Sequence, residues 1–240
     1  MTWATFPRSK AVTVPSATLR EADAQARDEL GIEPLQLMEI AGWQVARIVD
    51  ALLGGAPGKQ VLMVAGSGNN GGDALVAARF LKQRGALVRV SMVRSKDSAS
   101  LSAHHANTIN RLGVRIDEAP GGIDGSADLI VDGLLGTGIR PPLREPAPAI
   151  ISAMNAAGLP IVAVDVPSGM DADTGLGAEQ AVRATATVTL AAPKLGLIQT
   201  TNSGRIFLAD IGIPSRLFST AGDAVQSMYR TGDIVELIPR

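Results

Sequence analysis

Apolar positions keep a helical period over the first fifty or so residues and then change to short continuous runs. Leu19, Ala22, Ala26 and Leu30 recur three and four apart between Ser16 and Gly31. That spacing predicts a helix over residues 16–30, with Ser16 as its N-cap. Leu35, Met38, Ile40, Ala41, Val45, Ile48 and Val49 make a broader apolar face, predicting a second helix over 34–53 that Gly54-Gly55 ends. Gln60–Ala65 is then an unbroken apolar run, as in a strand buried on both faces. Further strands are predicted over 87–93, 114–116, 128–132, 160–166, 186–192 and 205–209, with helices over 73–84, 98–112 and 145–157.

Strands alternating with helices imply an α/β fold: a mostly parallel sheet, right-handed crossovers, and helices on both faces. No linker, internal repeat or low-complexity segment divides residues 1–240, so the chain reads as one domain. Ligands of such sheets bind beyond the carboxyl ends of the strands. This directs attention to three segments that follow strands, 66–73, 132–142 and 165–173.

Composition narrows the chemistry. Lys plus Arg number 22 and Asp plus Glu 23, a net charge of -1, which argues against general nucleic-acid binding. There is no cysteine, so disulfides, zinc–thiolate sites and cysteine nucleophiles are excluded. No apolar stretch follows the charged start and none is long enough to cross a bilayer, so the expected location is cytoplasmic.

The first loop reads Gly66-Ser67-Gly68-Asn69-Asn70-Gly71-Gly72-Asp73. Its glycines permit positive φ and close approach of a ligand, and the helix that follows offers free N–H groups to phosphate. Gly66, Gly68 and Gly71 satisfy the dinucleotide-binding spacing, a weak signal alone. The second predicted strand ends Val93-Arg94-Ser95, without the carboxylate that would bind ribose. A phosphorylated-nicotinamide oxidoreductase therefore stands only as an alternative, with Arg94 as its phosphate contact. Asp73 suits an N-cap, which leaves Asn69 and Asn70 unexplained except as ligands to an amide or a hard cation.

The second loop carries Asp132 at the end of a buried strand, where a carboxylate needs a partner or a cation. Gly136, Thr137, Gly138, Ile139, Arg140, Pro141 and Pro142 follow, with Arg144 beyond; the arginines either reach phosphate or are solvated. In the third loop Asp165 sits within an apolar run. Burial would raise its carboxyl pKa, suiting it to acid–base work, and Ser168 lies beside it. Asp171 and Asp173 look like turn caps. Lys194 closes a late strand, as an anion contact or a solvated charge. His104 and His105 are adjacent and share no helix face, and Trp3 and Trp43 read as packing groups.

Together the three loops, with Leu37-Met38-Glu39-Ile40-Ala41-Gly42, the segment 192–196 and Asp210-Ile211-Gly212-Ile213-Pro214, resemble the NAD(P)H-hydrate epimerase family, the YjeF N-terminal domain. The resemblance spans residues 16–214 and implies a three-layer α-β-α Rossmann-like sandwich. It implies an isomerase that interconverts the R and S forms of hydrated NADH and NADPH, NAD(P)HX, in cofactor repair. It implies a potassium ion on Asn70, Asp132 and Ser168. Substrate would lie against Asn69, Asn70, Gly71, Gly72, Asp73, Gly136, Thr137, Gly138, Ile139, Arg140, Pro141, Pro142 and Asp165. Asp165 would be the catalytic acid–base and Lys194 a second candidate. Ile40 stands where the family has Asn. Many relatives carry a nucleotide-dependent dehydratase domain, and the last fifteen or so residues are expected as a linker toward one. A homodimer through the N-terminal helices is one arrangement; a non-catalytic binding protein on the same fold is the remaining alternative.

Overall fold

The computed structural model of the protein describes residues 2–140 and 142–239. Nine strands form one sheet: β1 (Ala4–Pro7), β2 (Gln60–Ala65), β3 (Leu87–Met92), β4 (Ile116–Glu118), β5 (Leu129–Gly133), β6 (Ile161–Val164), β7 (Ala186–Leu190), β8 (Arg205–Ala209) and β9 (Ile234–Ile238). The helices are α1 (Ser16–Leu30), α2 (Pro34–Leu52), α3 (Asn69–Gln83), α4 (Leu101–Arg111), α5 (Ala147–Ala156), α6 (Leu195–Gln199) and α7 (Gly222–Met228). The strand order is β1-β9-β8-β7-β6-β5-β2-β3-β4. Every neighbouring pair is parallel except β8 with β9. The α/β class with a mostly parallel sheet is as the apolar pattern predicts.

The chain winds outward from β2 to β4, then returns to place β5 on the other side of β2. The loops after β2 and β5 therefore part in opposite directions, and the crevice between them is where a sheet of this kind binds ligands. The buried apolar side chains form two clusters, one of them including Val61, Met63, Leu75 and Val188 and the other Leu62, Ile130, Ile150 and Met154. Strands such as β5, apolar toward both layers, alternate between the two, which is why they read as continuous runs.

Several boundaries differ from the sequence pattern. Residues 234–238, expected within a linker, are strand β9, held between β8 and β1. Neither β1 nor β9 was expected; Ala4–Pro7 is four residues ending in proline, and its partner lies at the far end of the chain. Helix α3 begins at Asn69, with Gly68 as N-cap, so Asp73 is inside the helix and caps nothing. The glycines of this loop are there for close approach. A Cβ on Gly66 would fall 1.9 Å from the Leu134 carbonyl oxygen, and one on Gly71 would fall 2.0 Å from the Gly66 oxygen. Neither has positive φ. Ser16 is the first residue of α1 rather than its cap; its N–H and hydroxyl both donate to Asp173 Oδ1, at 2.7 and 2.9 Å.

Candidate active site

Two strand ends build the first half of the site. Asp132, next to last in β5, is completely buried. Its Oδ1 accepts the Ser168 hydroxyl at 2.6 Å and the Leu134 N–H at 3.2 Å, and its Oδ2 accepts the Ser168 N–H at 2.9 Å. These partners are neutral, and no Lys or Arg forms an ion pair with Asp132 among the described residues. Burial pushes its carboxyl up to about 6, against the lowering effect of the Ser168 and Leu134 bonds. The Ser168 hydroxyl also accepts the Leu135 N–H at 2.8 Å, while Asn70 Nδ2 donates to the Leu135 carbonyl at 2.9 Å. Asn70 and Ser168 thus meet at Leu135, and Asp132 is tied to the pair through Ser168. Their side-chain oxygens are an amide, a hydroxyl and a carboxylate with no cationic partner, a donor set that suits a hard monovalent cation.

Leu135 begins the loop through Gly136, Thr137, Gly138 and Ile139 to Arg140 and Pro142. Leu135, Gly138, Ile139, Arg140, Pro142, Leu143, Arg144 and Ala147 line a cavity of about 710 Å3. Pro141 lies outside the described residues. Arg140 bonds Asp171 at 2.6 Å, and Asp171 itself accepts from Asp173 N–H and Thr174 N–H at 3.0 and 2.9 Å. Asp171 therefore organises its turn, as its pattern suggested, while Asp173 caps α1 through Ser16. Arg140 is drawn to that loop.

The second half lies where β6 and β7 end. Asp165 follows β6 with φ 65 and Ala191 follows β7 with φ 64. In each, the next N–H returns to the carbonyl two residues back, Val166 to Val164 at 2.8 Å and Ala192 to Leu190 at 2.7 Å. Such tight reversals are strained for non-glycine residues and persist only where surrounding structure enforces them. They turn Asp165 and Lys194 toward each other. Lys194 is 1% exposed, the largest side chain so enclosed. Its ammonium donates to Asp165 Oδ1, to the Leu190 carbonyl at 2.8 Å and to Thr189 Oγ1 at 3.2 Å. Asp165 also accepts the Leu190 N–H at 3.1 Å. The lysine is thus an enclosed ion-pair partner, and Asp165 is the member left partly open, its side chain 14% exposed.

Asp73 reaches the same group from α3. Its carboxyl is held well above the usual range, first by burial, then by the charges of Asp165 and Asp23, with Lys194 acting against them. Of the remaining expected positions, Asn69 is exposed at the start of α3, while Gly71 and Gly72 are buried in it.

Residues 34–196 match the family described as YjeF-related protein N-terminus. An NAD(P)H-hydrate epimerase of Rhodopirellula baltica is 35% identical over 207 residues, which cover 83% of this chain and 84% of that one. One from Weissella koreensis is 38% identical over 211 residues, covering 84% and 92%. The chain belongs to the NAD(P)H-hydrate epimerase family. The crystal structure of yeast ynu0, YNL200c, has the same fold: its TM-score is 0.82 at 28% identity, over 94% of this chain and all 100% of that one. With the bifunctional NAD(P)H-hydrate repair enzyme Nnr of Moorella thermoacetica, 36% identical, the match spans 42% of that protein. As a family member, this chain has the three-layer α/β sandwich that its motifs imply.

Two features of this epimerase-family chain depart from expectation. Ile40 is exposed on α2, its Cδ1 facing Gly212. And the charges of Asp165 and Lys194 act on Asp23, on α1, a contribution not read from the sequence. Asp23 is exposed beside the buried row Ser16, Leu19, Ala22 and Ala26, so the helical period alone does not single it out.

Proposed function

We infer that this chain interconverts the R and S forms of hydrated NADH and NADPH, with Asp165 as the proton-transferring residue and Lys194 as its partner. The observation that carries the role assignment is the Asp165–Lys194 pair at adjacent strand ends, with the lysine enclosed and the aspartate open. Segments 69–73 and 136–142 are assigned to the substrate, with Arg140 and Arg144 offering guanidinium groups to its phosphates from the cavity wall. The hydrated ring carries a hydroxyl on the carbon beside nitrogen. Protonating it lets water leave, with the ring nitrogen stabilising the cation formed. Water then adds to either face. Asp165 gives and recovers the proton; the lysine fixes its orientation.

Asn70, Asp132 and Ser168 are assigned to potassium on the chemistry of their oxygens. Bound there, the ion would neutralise Asp132 and fix the loop that Leu135 starts. No helix of the described residues is long and apolar enough to cross a membrane.

The test is stereoisomer exchange. Purified protein is given the S-hydrate and formation of the R-hydrate is followed by chromatography, with and without potassium, against the spontaneous rate. The expected result is a large acceleration that falls about 10²–10⁴-fold in Asp165→Asn, the usual contribution of a positioned acid–base. A folded Asp165→Asn variant with the full rate would overturn the assignment.

A further inference from the structure

We propose that Tyr229 is a positioning residue of this site, its hydroxyl holding the strained reversal at Ala191 that keeps Asp165 and Lys194 paired. The proposal rests on the epimerase reading above and assigns a residue beyond the segment matched to the family, 34–196.

Both members of the pair are anchored on Leu190, the residue before the reversal. The Leu190 N–H donates to Asp165 Oδ1 at 3.1 Å, and the Leu190 carbonyl accepts the Lys194 ammonium at 2.8 Å. The same carbonyl accepts the Ala192 N–H at 2.7 Å, which closes the reversal. Ala191, between them, stands at φ 64, a left-handed conformation that is unfavourable for a residue with a Cβ. Relaxation there would open the reversal and reorient the Leu190–Ala191 peptide, which carries the carbonyl that Lys194 uses. Two bonds oppose it. The Ala191 N–H donates to the Ala209 carbonyl of β8 at 3.0 Å. The Ala191 carbonyl accepts the Tyr229 hydroxyl at 2.9 Å, and among the described residues no other group donates to it.

One bond fixes the peptide before the Ala191 Cα and the other fixes the peptide after it, so together they set φ and ψ at that residue. The first belongs to the sheet. The second is a side chain brought 38 positions along the chain. Tyr229 opens the single turn of 3-10 helix, Tyr229–Thr231, that follows α7, and it packs against the core cluster that includes Val188. Met228 before it is buried, so the hydroxyl is delivered from an anchored base. A phenol keeps its proton throughout the neutral range and remains a donor. Among the described residues Tyr229 makes no hydrogen bond to Asp165 or Lys194. It acts on the pair through the backbone of the reversal, where a small misplacement of a proton-transferring group is costly to the reaction.

The experiment compares wild type, Tyr229→Phe and the double variant Tyr229→Phe, Ala191→Gly by stereoisomer exchange and by the proton–nitrogen NMR signal of the Lys194 ammonium. That signal is separable because Lys10, Lys59, Lys82 and Lys96 all reach the surface, where their protons exchange with water. Tyr229→Phe keeps the ring and loses only the donor. It is expected to keep KM, lower kcat about 10- to 100-fold, and shift or broaden the Lys194 signal. Glycine at 191 adopts the left-handed turn without strain, so the double variant should recover much of the lost kcat and the signal. A hydroxyl with a purely structural role would lower the melting temperature and leave kcat and the ammonium signal as they are; that result overturns the proposal and leaves the epimerase reading standing. A slow Tyr229→Phe with an unchanged ammonium signal, or a double variant no faster than the single one, overturns it equally. A wild type without acceleration removes the epimerase reading and the proposal with it. If Tyr229→Phe melts below the assay temperature, its ammonium spectrum is recorded below the melting point, where an unchanged signal is again the overturning result.

Discussion

Lys194 places an ammonium where water cannot reach it, and such a charge persists only with a partner. Three oxygens meet it, but only Asp165 carries a charge to offset its own. Removing the lysine alone would leave the Asp165 carboxylate facing the space of a missing cation, with the Leu190 N–H as its remaining partner. Lys194→Met is therefore expected to cost about 3 kcal/mol, the lower end for a broken buried pair, because Asp165 keeps some contact with water. Urea unfolding measures it. The double variant Lys194→Met, Asp165→Asn should recover part of the loss, since it removes the stranded charge as well. Equal midpoints for the single variant and wild type would mean the pair contributes nothing to the fold.

At the scale of elements, α1 is placed by contacts from distant parts of the chain. Its own sequence provides no capping side chain: Pro15 is the N-cap and no acidic residue occupies the first turn. Asp173 does that work from a loop 157 positions away. Asp173→Ala should cost about 1 kcal/mol, as for loss of a capping residue. It should also raise hydrogen exchange selectively in the first turn of α1, while the sheet amides stay protected. Uniform loss of protection would mean that α1 and the sheet open together. The same arrangement explains what could be read from the sequence. Helices α1 and α2 and the buried central strands announce themselves through period and apolar continuity, which are local. The start of α3 does not, because Asn-Asn-Gly-Gly has poor helix propensity; its Gly71 is there because a Cβ would run into the Gly66 carbonyl. The β1–β9 pairing joins the two ends of the chain and leaves no local trace. At the site, Asp132, Asp165 and Lys194 were visible as charged residues at the ends of apolar strands, and Asn70 and Ser168 as polar residues in the loops beyond them. Asp23 was not, since one carboxylate on an otherwise charged helix looks like solvated surface.

For the molecule as a whole, the raised carboxyls of Asp73 and Asp23 tie stability to pH. Asp73 is raised by burial first and by its acidic neighbours next, so the folded protein holds that proton more tightly than the unfolded chain does. Below the ordinary carboxyl range both states are protonated and the contribution is fully present. As pH rises, the unfolded chain ionises first and gains on the folded state, so stability is lost until the folded carboxyl ionises in turn. Asp23 adds a change of the same sign between 3.8 and about 6. Asp171 and Asp233 act oppositely: both are lowered, by hydrogen bonds and by the charges of Arg140 and Arg47 respectively, and their contribution disappears only as pH falls through the acid range. The urea midpoint should therefore decline from pH 5 to pH 8. Asp73→Asn replaces a neutral acid by a neutral amide of the same shape and removes the ionisation, so its midpoint should decline less over that interval. If the two proteins follow parallel curves, Asp73 is ionised in the folded state, and the fold holds that carboxylate by some means other than a retained proton.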